Sequence, residues 1–213
     1  VGGAKVFVIG GGPSLEQFDL SLLEQEDTIC VNQAVFDVPN PTYLITCDYT
    51  FLHKVGRQKV ANSPARKIFV AQFIGDTLQD IDSRIVDTQH NIVYDLSLFD
   101  QIIRAYTRSG LGLTFNDFRS GGNSGYCGLQ LAVLLGYREI RLLGFDLGVR
   151  GRRTHYHNVY RSSPEKFQKK LDAYLKEFII GIEQLRKEMP DREVYSSSPF
   201  SRLNDYIPMK EGV

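Results

Sequence analysis

Two histidines and four arginines gather in one short segment of this chain, and their side chains suit proton transfer beside an anion. L-G-V-R-G-R-R-T-H-Y-H-N-V-Y-R, from Leu147 to Arg161, carries Arg150, Arg152, Arg153 and Arg161 with His155 and His157, and shows no apolar periodicity. Guanidinium groups pair with phosphate oxygens, and an imidazole, with an ordinary pKa near ~6.5, exchanges protons around neutrality. The segment reads as a lid, residues 147–162, offering cations and an imidazole to a phosphate-bearing ligand. A solvated basic loop would have the same composition. Histidines at i and i+2 could also bind a metal from extended backbone, although no cysteine or third histidine stands nearby.

A partner for such a lid is found in V-F-V-I-G-G-G-P-S-L, Val6 to Leu15. Val6 to Ile9 is a brief apolar, β-branched strand ending in Gly10, Gly11 and Gly12, and Pro13 with Ser14 opens a helix. The glycines allow backbone angles closed to other residues, so the main chain can approach a ligand. A helix start at the carboxyl edge of a sheet presents N–H groups and a positive dipole end to phosphate, although a tight turn needing glycine only for packing would read the same way. Asn32 after a strand at Thr28 to Val31, and Asp48 after a strand at Tyr43 to Cys47, are polar groups at the edge where open α/β sheets bind ligands. Both residue types also serve as caps. A second loop, F-R-S-G-G-N-S-G from Phe118 to Gly125, leads into the buried helix Y-C-G-L-Q-L-A-V-L-L, with Gly136 as its stop and Asn123 and Ser124 as natural caps.

These segments require a scaffold that alternates strand and helix. Further strands are expected at Ile68 to Phe73, Asn91 to Tyr94, Glu139 to Leu143 and Glu193 to Tyr195. Helices are expected from Ser14 toward Gln25, from Tyr94 to Thr107 with Leu98, Ile102 and Tyr106 on one face, and from Ser162 to Met189. The last is a long amphipathic helix, capped at its serines and structural in role. The implied fold is α/β, a Rossmann-like, mostly parallel sheet with helices on both faces, forming a single nucleotide-binding domain over 1–213 with a short lid. Twenty-five basic and twenty-five acidic residues cancel, so the totals give no general attraction to nucleic acid or to anionic membrane. Cys30, Cys47 and Cys127 are an odd, widely spaced set, which argues against a disulfide framework or a zinc knuckle and for a reducing, cytoplasmic setting. No apolar run is long enough to cross a bilayer, although peripheral membrane association stays open. The abrupt V-G-G-A-K start reads as a fragment of something longer.

Taken in order, G-G-G-P-S-L at Gly10 to Leu15, V-N-Q at Val31 to Gln33, N-S-G-Y-C at Asn123 to Cys127, L-G-Y-R-E-I-R-L-L-G-F-D at Leu135 to Asp146, T-H-Y at Thr154 to Tyr156 and S-P-F-S-R-L at Ser198 to Leu203 resemble the bacterial sialyltransferases of glycosyltransferase family 42. The resemblance implies that Gly11, Ser14, Asn32 and Asn123, Ser124 and Gly125 hold the cytidine monophosphate of an activated sugar, with Ser198 and Ser201 touching it from the last strand. His155 would be the general base in an inverting displacement onto a glycan acceptor, with His157 as its rival, and Arg119 would neutralise the sugar carboxylate or the leaving phosphate. No further cofactor is implied, and a homo-oligomer is compatible with it.

The match departs from the family in two places. The family's lid tyrosines are replaced here by the arginines of G-V-R-G-R-R, and Asp48 stands where the family has an asparagine. The same framework resembles hydroxymethylpterin pyrophosphokinases and flagellin-modifying Maf proteins. In the pyrophosphokinase reading, Asp48 and Asp146 would ligate Mg²⁺ beside ATP. A nucleotide-binding module without turnover is the third reading.

Overall fold

The computed structural model describes residues 4–72, 78–81, 84–87, 92–106, 109–157 and 163–212. Phe73, Asn91, Thr107, Arg161 and Ser162 lie outside the described residues, as does the lid beyond His157 apart from Ser163 onward.

Seven parallel strands form the main sheet: β1 Lys5–Ile9, β2 Thr28–Val31, β3 Tyr43–Thr46, β4 Arg66–Gln72, β8 Gln101–Ala105, β9 Glu139–Leu143 and β10 Glu193–Ser196. Their spatial order is β10-β9-β1-β2-β3-β4-β8. A smaller antiparallel sheet is made by β5 Leu78–Ile81, β6 Arg84–Asp87 and β7 Ile92–Asp95. The chain therefore has an α/β, Rossmann-like fold. Successive strands step outward from β1 to β4, and then the chain crosses back to place β9 on the other side of β1. Between β1 and β9 the connections diverge to opposite sides, which opens a crevice beyond the strands' carboxyl ends.

Parallel strands covered on both faces need apolar side chains on both, and β1 meets this with four consecutive fully buried residues, Val6 to Ile9. Val6 and Val8 face a core shared with α3 (Ser124–Leu135) and α4 (Pro164–Glu188), through Tyr126, Leu129, Leu175, Phe178 and Ile182. Phe7 and Ile9 face the opposite core, closed by Leu15, Leu23, Phe51 and Val60 from short turns and from the helices α1 (Phe51–Val55) and α2 (Arg57–Ala61).

Three expected elements are corrected. Instead of a helix over Tyr94 to Thr107, the chain forms the end of β7 and then β8, an edge strand paired in parallel with β4. Ile103 and Ala105 go to one core, Ile102 packs on the other and Arg104 is exposed, so the period of two prevails over the four-residue spacing of Leu98, Ile102 and Tyr106. The strand near Asn91 to Tyr94 belongs to the small sheet rather than the main one. The expected helix after the glycine turn is two 3-10 turns, Pro13–Gln17 and Leu20–Leu23. Asp19 separates them, because its carboxylate accepts hydrogen bonds from both the backbone N–H and the hydroxyl of Ser21, at 3.0 and 2.7 Å.

Candidate functional site

The carboxyl ends of five strands meet in one cleft of about 520 Å³, a volume suited to a nucleotide-sized ligand. Gly10, Gly11 and Gly12 follow β1, Asn32 follows β2, Cys47 and Asp48 follow β3, Gln72 ends β4, and Gly144 to Gly148 follow β9. Asn123, Ser124 and Gly125 at the start of α3 form the floor, and His155, His157 and the first turns of α4 form the far wall.

The glycine turn works differently from its sequence reading. None of its three residues has a positive φ, and Gly12 is ordinarily extended at φ −68, ψ 153. What the turn requires is room. A Cβ on Gly10 or Gly12 would lie 2.6 or 2.7 Å from the Gly144 carbonyl oxygen. The helix start behind it already holds an anion: Asp146 accepts the Ser14 N–H at 2.8 Å and the Ser14 hydroxyl as well. Ser198 Oγ accepts the Gly144 N–H at 2.8 Å and lies 3.2 Å from Ser14 Oγ, and Ser201 Oγ donates to the Phe145 carbonyl at 2.6 Å. Ser14, Ser198 and Ser201 thus brace the junction of β1 and β9 from behind the cleft wall.

Two polar features face the cleft unmet. Asn32 sits at φ 53, in the left-handed region, and its Oδ1 is buried with no partner among the described residues. A buried acceptor without a donor is costly, and this one belongs to a residue that lines the cleft. At α3, Asn123 accepts the Tyr126 N–H at 2.8 Å, whereas no acceptor among the described residues meets the first-turn N–H groups of Ser124 and Gly125.

His155 is brought against the first of these loops. Its ring carbon Cδ2 would lie 3.2 Å from a Cβ on Gly11, and the Tyr156 N–H donates to the Gly11 carbonyl at 3.1 Å. The lid is fixed a second time by Tyr156 Oη, which donates to Asp37 at 2.6 Å. Thr154 Oγ1 meets His155 Nδ1 at 3.0 Å, and the ring packs on His157 and Phe167 at centroid distances of 5.2 and 4.7 Å. Burial first, and the neighbouring His157 second, depress the His155 pKa to about 4, so the imidazole is neutral at physiological pH.

No protein-family model and no curated protein matches the sequence. Solved structures do match by shape. The sialyltransferase CstII from Campylobacter jejuni in complex with CMP-3FNeuAc aligns over 97% of this chain and 86% of its own, with TM-score 0.55 and 16% identity. A CMP complex of a variant of sialyltransferase CST-II aligns over 96% and 86%, with TM-score 0.54 and 18% identity. A Maf glycosyltransferase from Magnetospirillum magneticum AMB-1 aligns at TM-score 0.50 and 16% identity, over 91% of this chain but only 31% of the Maf chain. The chain shares the fold of these three structures.

Within that fold the expected site arginines that are described stand away from the cleft lining. Arg119 donates to Asp117 at 2.7 Å and to the Ser109 carbonyl at 2.9 Å, holding the loop before α3. Arg150 and Arg153 exchange backbone hydrogen bonds at the lid tip, where Arg150 stacks on Phe200, Arg153 pairs with Glu16 and Arg152 is exposed. The cations that line the cleft are Lys54 of α1 and Lys170 of α4, joined by Tyr174. Sequence reasoning missed Lys170 because it took α4 as purely structural, yet the apolar periodicity that buries one stripe of a helix also fixes where its polar flank points. Asp48 and Asp146, the magnesium pair of the pyrophosphokinase reading, both line the cleft. Both oxygens of each already accept hydrogen bonds, from Thr50 and Lys54 in one case and from Ser14 in the other. Burial acts to raise the Asp48 pKa, but Lys54 and Thr50 outweigh it and hold the carboxyl below its ordinary range. Among the described residues no group of three metal-binding side chains exists, and no helix is long and apolar enough to cross a membrane.

The neutral, buried His155 has a consequence for stability. Its folded pKa lies below the unfolded value, so from pH 6.5 down to about 4 the unfolded chain binds more protons and stability falls with pH. His157, lowered mainly by burial, acts in the same direction, while Asp146, raised mainly by burial, opposes it. Urea denaturation at intervals across this range should show a shallower decline for His155→Phe than for the native chain. Identical slopes would place the histidine in solvent.

Proposed function

We propose that this chain is a glycosyltransferase that takes a CMP-activated, sialic-acid-like sugar and transfers it to a glycan acceptor with inversion. One observation carries the reading: His155 is held against Gly11 in the same cleft as the unmet Asn32 Oδ1 and the open first turn of α3. The uncapped N–H groups of Ser124 and Gly125, at the positive end of a twelve-residue helix, receive the donor's phosphate, with Lys170 and Lys54 adding charge. Asn32 Oδ1 accepts a hydrogen bond from the base or ribose. The acceptor hydroxyl attacks the anomeric carbon as the bond from that carbon to the phosphate oxygen breaks. His155 takes the hydroxyl proton, and CMP departs with the bonding electrons. Arg119 serves the loop that positions α3 rather than the sugar itself. The donor class rests on the likeness to sialyltransferase structures that hold CMP and CMP-3FNeuAc, and the glycan acceptor on the resemblance of the sequence motifs to glycosyltransferase family 42.

A thermal-shift panel of CMP, CDP, UDP and ATP, each with Mg²⁺ and with EDTA, tests the donor assignment. At about 100 times its Kd a ligand adds about 2.7 kcal/mol, which raises Tm by roughly 5–10 °C for a chain of this size. CMP should give this shift in EDTA. Stabilisation confined to ATP with Mg²⁺ would replace sugar transfer with diphosphate transfer.

A further inference from the structure

The far wall of the cleft is a ladder of side chains on α4, and the proposed transfer uses only part of it. Phe167, Lys170, Leu171, Tyr174 and Phe178 recur at three- and four-residue spacing, so one helix face presents them, and all five line the cleft. Both ends of the ladder are anchored. Phe178 stands edge-on to Tyr126 of α3 and to Phe145, at centroid distances of 5.4 and 5.5 Å, which holds α4 against the start of α3. At the other end Phe167 packs on the His155 ring at 4.7 Å. Lys170 and Tyr174 therefore lie between the lid histidine and the first turn of α3, where a phosphate must sit if the sugar carbon bonded to it is to reach His155.

Neither side chain is engaged by the protein itself. Among the described residues Lys170 forms no ion pair or hydrogen bond and the Tyr174 hydroxyl meets no partner, whereas Lys54 is paired with Asp48 at 2.8 Å. Burial first, and the neighbouring Cys47 second, push the Tyr174 phenol above its ordinary pKa, so it keeps its proton and can donate it in a hydrogen bond. Helical side chains lean toward the N-terminal turn, which carries the Tyr174 ring over the turn that bears Lys170. We propose that Tyr174 and Lys170 form a two-point phosphate clamp, in which the phenol donates to one phosphate oxygen and the ammonium pairs with another, beside the N–H groups of Ser124 and Gly125. The clamp presupposes the nucleotide donor proposed above and adds Tyr174 to the residues that hold it. It also assigns the grip on the leaving group to a long helix rather than to the arginines of the lid. Its two groups read phosphate and are indifferent to the base.

Calorimetric titration of the full chain with CMP and cytidine, UMP and uridine, and AMP and adenosine, the weak nucleosides read by displacement, measures what the phosphate adds to each base. For the base that the cleft accepts, the monophosphate should bind at least about a hundredfold more tightly than its nucleoside, because a hydrogen bond to a charged group is worth about tenfold or more. Tyr174→Phe, which keeps the ring and its packing, and Lys170→Met, at an exposed position, should each reduce that ratio about tenfold while nucleoside binding stays within about twofold. An unchanged ratio in either variant would overturn the clamp. Joint loss of nucleoside and nucleotide binding in both variants would overturn it too, since that marks structural residues. A ratio near one in the native chain for all three bases would end it as well. A ratio that responds to both substitutions for UMP or AMP, with no binding of CMP, would uphold the clamp and end the cytidine donor.

Discussion

His155→Ala should lower turnover by about 10²- to 10⁴-fold, the usual contribution of a positioned general base, while CMP still binds within a fewfold of its native affinity. The separation follows from geometry. The groups proposed to hold the nucleotide are Asn32 Oδ1, the first turn of α3 and the two lysines, whereas His155 approaches from the lid and touches Gly11. Initial-rate measurement of CMP release, paired with calorimetric titration of CMP, checks both halves. Unchanged turnover would remove the histidine from the mechanism, and joint loss of turnover and CMP binding would make it a structural part of the lid.

The pH profile distinguishes His155 from its neighbour. In the free enzyme the imidazole is depressed to about 4, so the acid limb of kcat/KM should fall near pH 4 rather than near 6.5. A bound phosphate favours the imidazolium, so the limb of kcat should lie at higher pH than that of kcat/KM. His157 contributes to the depression through its charge, and His157→Ala should therefore move the kcat/KM limb upward while leaving catalysis in place. If His157→Ala instead abolishes turnover and His155→Ala does not, the base has been assigned to the wrong ring.

The parts of this site that were legible in the sequence are those fixed by local chemistry. A β-branched run ending in glycines, an asparagine at a strand exit and Asn123 ahead of an apolar helix each state their conformation within a few residues, and β1, β2 and α3 follow from them. The lid histidine was legible for a different reason: a polar segment with no periodicity leaves its imidazole for a ligand or for solvent. The signal failed where tertiary packing decides. β8 owes its form to pairing with β4, which no spacing of Leu98, Ile102 and Tyr106 encodes. The arginine cluster announced charge but not direction, and Arg153 turns to Glu16 while Arg150 turns to Phe200. Cys47 and Ser124 stand 77 positions apart and meet because α3 packs over the end of β3.

Gly12→Ala should cost about 3 kcal/mol and lower Tm by roughly 6–12 °C, a loss caused by the protein's own backbone and independent of any ligand. The added methyl would lie 2.7 Å from the Gly144 carbonyl oxygen and 2.8 Å from the Asp146 carboxylate. Neither can retreat cheaply. The Gly12 N–H donates to that same Gly144 oxygen at 2.8 Å, the Gly10 N–H donates to Leu143 at 2.8 Å, and the Asp146 carboxylate is held by the N–H and hydroxyl of Ser14. Relief would require separating the exits of β1 and β9, the two strands whose divergence opens the cleft. Gly11→Ala provides the contrast, because its methyl would meet only side-chain atoms, His155 Cδ2 at 3.2 Å and His157 Nε2 at 3.7 Å. It should change stability by less than about 1 kcal/mol yet reduce turnover by displacing the lid histidine. Scanning calorimetry and a rate assay on the two variants therefore divide one glycine turn into a residue that holds two strands together and a residue that seats the lid. Equal melting temperatures for Gly12→Ala and the native chain would show that the β1–β9 junction yields, and the glycines would then be reserved for the close approach of a ligand.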